Sequence, residues 1–126
     1  MWHGSPISAG MRERSVTAES IACRFEECRL RAYAGLVDAL CAGGDPGAVL
    51  GDLHQLVAEH PRRESAHALL IRALYETGDA AAALGAYQRL RRLLSGELGV
   101  EPSLHLRHLH QAVLQGRRVT FTWLQD

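Results

Sequence analysis

The sequence predicts an all-α fold of two antiparallel helical hairpins closed by a fifth helix, with an extended C-terminal tail. Three observations predict it. Ala and Leu dominate while Val, Ile, Thr and the aromatics are sparse, a mixture that favours helix over sheet. Apolar residues recur at intervals of three and four in successive stretches of the chain. The chain also superposes on itself when shifted by 34 residues.

Residues 1–16 combine Gly4, Pro6 and Gly10 with serines and no clear period, which predicts a flexible leader. From about Thr17, the spacing of Ile21, Phe25, Cys28, Ala32, Leu36 and Leu40 predicts a long helix with this stripe inward and a stop at Gly43-Gly44. Asp45-Pro46 restarts the chain as a second helix. Its Asp can accept an orphan N–H, and proline is harmless at the first helical position. Val49, Leu50, Leu53, Leu56 and Val57 form the buried face, and Pro61 ends the helix. Ala66, Leu69, Leu70, Ala73 and Leu74 mark a third helix that halts at Gly78, where a positive φ is expected. Asp79 caps a fourth helix carrying Ala83, Leu84, Tyr87, Leu90 and Leu94, with a break expected at Ser95-Gly96 and Gly99. Pro102-Ser103 opens a fifth with Leu106, Leu109 and Val113.

The 34-residue shift places Leu36 on Leu70, Val37 on Ile71, Ala39 on Ala73, Leu40 on Leu74, Gly44-Asp45 on Gly78-Asp79, Leu53 on Tyr87 and Leu56 on Leu90. That is the tetratricopeptide period. One hairpin cannot bury its own apolar face, so the two should stack as a right-handed, tetratricopeptide-like pair with the fifth helix as cap. The domain so defined spans residues 17–116. In the tail, 117–126, Val119, Phe121 and Trp123 alternate with Thr120 and Thr122, which predicts an extended segment. Packing in a helical groove, pairing with a second copy and disorder all remain open for it.

Fourteen basic and fourteen acidic residues cancel, so no overall field draws the chain to a phosphate backbone or an anionic membrane. No window reaches the roughly 18 apolar residues of a membrane span, and no signal-peptide core is present, which fits a cytoplasmic protein. Cys23, Cys28 and Cys41 are odd in number and lack C-x-x-C spacing, so buried thiols in a reducing compartment are expected.

Three stretches go beyond a generic repeat. They are Leu56-Val57-Ala58-Glu59-His60-Pro61-Arg62-Arg63-Glu64; Leu74-Tyr75-Glu76-Thr77-Gly78-Asp79 leading to Tyr87-Gln88-Arg89-Leu90; and Glu97-Leu98-Gly99-Val100-Glu101-Pro102-Ser103 with Leu106-Arg107-His108-Leu109-His110. Together they resemble the bacterial transcriptional activator domain, the helical domain of the actinobacterial antibiotic regulatory proteins, over residues 17–115. The resemblance implies a tetratricopeptide-like fold that aids dimerisation and contact with the transcription machinery. In that family the domain follows a winged helix-turn-helix DNA reader. About sixteen residues precede the first expected helix here, too few for such a fold, so no direct nucleic-acid binding by this chain alone is expected. A domain of a longer regulator and a stand-alone relative both fit.

No nucleophile elbow, phosphate-cradling loop, H-E-x-x-H motif or paired-carboxylate signature occurs, so the sequence names no reaction and no cofactor. Glu26-Glu27 are adjacent on a helix and point about 100° apart, which suits a solvated face better than acid–base chemistry. Arg89, Arg91 and Arg92 read as a basic helix rim. His105 and His108 lie three apart without an evident third ligand, so no metal is expected. Repeat geometry instead points to a groove lined by the first helix of each hairpin: Arg31 and Asp38, then Ser65, Ala68, Arg72 and Tyr75, with His110 on the cap. The expected function is a protein-interaction module that contacts a protein partner or a second copy of itself. The alternative is a stand-alone, possibly cyclase-like accessory protein of a natural-product pathway, holding a small apolar molecule in the groove under Val119, Phe121 and Trp123. A purely structural dimerisation unit is the third reading.

Overall fold

A computed structural model describes the backbone of residues 4–118, with side chains from residue 18 onward except Glu19 and Cys23. The order is α1 (Gly4–Ala42), a 3-10 turn (Pro46–Val49), α2 (Leu50–Glu59), α3 (Glu64–Glu76), α4 (Ala80–Leu98) and α5 (Leu104–Leu114). Every regular element among the described residues is helical. α3 is the centre of the molecule. It packs against α1, the 3-10 turn, α2, α4 and α5, and each of its residues 66–74 is buried. Neighbours cover this stretch on every side, so it is mostly apolar, and its two polar residues, His67 and Arg72, are buried with it.

The two hairpins are built by the same turn, 34 residues apart. After α1, Asp45 N–H donates to Leu40 O and Gly44 N–H to Cys41 O; after α3, Asp79 N–H donates to Leu74 O and Gly78 N–H to Tyr75 O. These bonds satisfy the last carbonyls of each helix. They require a left-handed residue, and Gly44 (φ 82°) and Gly78 (φ 91°) supply it. The Asp79 carboxylate then accepts from Ala82 N–H at 3.0 Å and Ser103 Oγ accepts from Leu106 N–H at 3.4 Å, capping α4 and α5 as their positions predict.

The core joins both repeats through Leu53, Leu56, Leu69, Ile71, Leu90 and Leu106, all fully buried. Five expectations are corrected. The first helix does not begin near Thr17: its backbone is helical from Gly4, because residues such as Met11, Arg12, Glu13 and Arg14 are good helix formers and extension of an existing helix costs little. Its inward stripe is Leu30, Ala34 and Val37, while Ile21, Phe25, Cys28, Ala32 and Leu36 are exposed. α1 carries two apolar stripes, and α3 and the 3-10 turn cover the other one. Cys28 is therefore an exposed thiol and Cys41 a half-buried one. Asp45 makes no side-chain cap, since the chain enters a 3-10 turn held by Ala48 N–H on the Asp45 carbonyl at 3.3 Å. α4 runs through Ser95-Gly96 and stops at Gly99, whose φ of 66° lets Val100 N–H reach back to Leu94 O. Val119, Phe121 and Trp123 lie outside the described residues.

Candidate functional site: the shared face of α1, α3 and α5

α1 and α5 flank α3, so one face of the molecule draws residues from all three. The anticipated groove residues divide sharply on it. Asp38 and Arg72 are brought together: the guanidinium Nη1 donates to Asp38 Oδ1 as an ion pair. The Arg72 side chain is almost wholly buried while the Asp38 carboxylate stays half open, so water reaches the pair from one side. A charge-assisted bond of this kind offsets part of the cost of burying the guanidinium. Arg72 is thus a fastening between repeats, and no longer a free donor for a ligand.

Tyr75 lies one turn further along α3, half-buried. Its hydroxyl donates to the Arg117 carbonyl at 2.9 Å. That bond pins the chain leaving α5, where Gly116 (φ 67°) turns it and Arg117 N–H caps Ala112 O at 2.8 Å. Arg31 is exposed and Ser65 half-buried. Ala68 is buried and lines no groove, because the neighbours of α3 close over its middle turn. His110 faces α4, its ring stacked on Tyr87 with centroids 3.9 Å apart and planes within 5°. Burial, with Arg91 close by, lowers the His110 pKa, so the ring stacks in its neutral form at neutral pH.

Two of the sequence stretches singled out above meet at a second place. The turn between α2 and α3 and the end of α4 line a cleft of about 670 Å³ through His60, Pro61, Arg62, Arg63, Glu64 and Glu97. Arg62 Nε donates to Glu97 Oε2 at 2.8 Å across it, and Glu64 Oε1 accepts from Ser103 N–H at 2.7 Å. Behind the turn, buried His67 places Nε2 2.7 Å from the Pro61 carbonyl. A row of polar contacts continues to α1: His60 Nε2 lies 3.2 Å from Glu26, and Arg29 bridges Glu26 and Glu59 at 3.6 Å each. These motifs clasp the α2–α3 turn to the α4–α5 turn, which is structural work. Sequence reading took Glu26 as solvated; Arg29 is one turn away on α1, but its other partner, His60, is distant in the chain and gives no local signal. The Asp38–Arg72 pair did have one, since residues 34 apart hold equivalent places and these carry opposite charge.

The sequence model described as bacterial transcriptional activator domain matches residues 1–114. The chain is 37% identical over 115 residues to the transcriptional regulator RedD of Streptomyces coelicolor, covering 90% of this chain and 32% of that protein. It is 36% identical over 118 residues to the regulatory protein DnrI of Streptomyces peucetius, covering 91% of this chain and 42% of DnrI. Among solved structures, Mycobacterium tuberculosis EmbR, in complex with a low affinity phosphopeptide, superposes with a TM-score of 0.72 at 33% identity, over 81% of this chain and 27% of EmbR. The chain thus spans less than half the length of these regulators. With its repeat turns, caps and clasp in place and the match running through nearly all of it, this chain belongs to the bacterial transcriptional activator domain family.

Proposed function

We propose that this chain is a protein-interaction module of transcription regulation, contacting the transcription machinery through the shared face of α1, α3 and α5 without reading DNA itself. The observation that carries this is the mouth of that face. Tyr75 presents a half-buried ring, fixed by its hydroxyl to the Arg117 carbonyl, one turn along α3 from Arg72, which holds the half-open Asp38 carboxylate. A planar ring next to a directed charge is the composition of an interaction hot spot. The balanced net charge supports a protein partner over nucleic acid. Such a partner places the chain in the cytoplasm; among the described residues no helix is long and apolar enough to cross a membrane.

The test is binding of the full chain to purified actinobacterial RNA polymerase holoenzyme by interferometry. Tyr75→Ala and Ser65→Glu should each weaken the complex at least about tenfold while circular dichroism stays unchanged. No binding, or binding indifferent to both substitutions, would sink the proposal. So would a salt-sensitive, sequence-selective shift of duplex DNA by the chain alone.

A further inference from the structure

The cleft between the α2–α3 turn and the end of α4 holds a cation that the fold does not use. Arg63 lines it, half-buried, and makes no hydrogen bond or ion pair among the described residues. Its guanidinium has given up part of its water without gaining an acceptor. The neighbouring Arg62 does have one, because its Nε donates to Glu97 Oε2 at 2.8 Å across the cleft. That carboxylate marks where an acid fits. Both side chains are open to solvent, Arg62 at 65% and Glu97 at 44%, so the pair is weakly held. Glu64, the other acid of the lining, directs Oε1 to the Ser103 N–H at 2.7 Å. This part-buried bond keeps the two turns together when the Arg62 pair opens. Just beyond Glu97 the surface is apolar, for Leu98 and Val100 are 52% and 49% exposed.

We infer that this cleft binds an acidic peptide segment, with one carboxylate on Arg63 and a second displacing Glu97 from Arg62. A guanidinium presents a rigid fork of N–H donors that can meet a carboxylate with two parallel bonds. The Glu97 bond engages only Nε of Arg62, so a better-placed acid gains a contact that Glu97 does not make. Apolar residues beside the acids cover Leu98 and Val100, which a small dicarboxylate has no means to do. At about 670 Å³ the cleft has room for such side chains. Glu97 is then a built-in competitor, standing where the ligand's carboxylate goes. The cleft lies at the start of α3, about 16 Å along the helix from Tyr75, so this site and the polymerase contact proposed above succeed or fail separately.

The probe is a short fluorescein-labelled peptide in which two aspartates lie between leucines, titrated with the full chain by fluorescence anisotropy. The same peptide with asparagines should bind at least about tenfold more weakly, and Arg63→Ser should weaken the aspartate peptide as much. Glu97→Gln should tighten it by about two- to sixfold, the gain expected when an exposed ion pair stops competing for Arg62. In an Arg62→Gln background that gain should vanish, which a general effect of removing negative charge would not do. Tyr75→Ala should leave the peptide's affinity unchanged. Absence of binding overturns the inference, as does equal binding of the asparagine peptide. A Glu97→Gln variant that binds no tighter than the parent, or glutarate that displaces the peptide at equal concentration, does the same.

Discussion

Asp38 and Arg72 stand at the same position in successive repeats, and the second grips the first. The ion pair therefore ties hairpin to hairpin at a register that the repeat itself sets. Asp38→Ala removes the carboxylate against which a buried guanidinium is placed, and should cost about 1–3 kcal/mol in urea denaturation. Adding Arg72→Met should recover part of that loss, since an apolar side chain needs no partner. A cost for Asp38→Ala below about 0.5 kcal/mol would show that the pair adds little to the stack.

Core and surface leucines should separate clearly. Leu69 on α3 is fully buried, and Leu69→Ala should cost about 2–5 kcal/mol by leaving a cavity in the central helix. Leu104 is 57% exposed, and Leu104→Ala should stay within about 0.5 kcal/mol of the parent. Equal losses at the two sites would contradict the assigned packing.

Glycines in different conformations should respond with opposite signs. Gly78 sits at φ 91°, so Gly78→Ala should destabilise by about 1–2 kcal/mol. Gly96 is inside α4 with open space around it, so Gly96→Ala should stabilise by about 0.5–1 kcal/mol. Thermal melts of the two variants measure both.

Burial holds the His67 pKa below its ordinary 6.5, with the Pro61 carbonyl opposing the shift and Arg89 adding to it. The folded state therefore resists a proton that the unfolded chain takes up. Above pH 6.5 both states are neutral and the contribution is full; it declines as pH falls through 6.5 toward the lower folded value. Denaturation midpoints should drop between pH 7 and pH 5, and His67→Gln should flatten that slope. An unchanged slope in the variant would assign it to other groups, of which His110 is shifted in the same direction.

Local chemistry was legible from the sequence alone. Gly44 and Gly78 end their helices, and Asp79 and Ser103 cap theirs, because each of these bonds spans at most five residues. The 34-residue period then determined the hairpins, their stacking and the buried leucines of α2 to α5. Tertiary structure decided what periodicity leaves degenerate. α1 is apolar on two sides, and only the neighbouring α3 and 3-10 turn select Leu30, Ala34 and Val37 for the core over Ile21 and Phe25. The same holds for the groove. Repeat geometry nominated Ala68, Arg72 and His110 as available, yet burial closes the first, Asp38 engages the second and Tyr87 stacks on the third. A side chain's period reports which way it points from its own helix, whereas what meets it depends on segments tens of residues away.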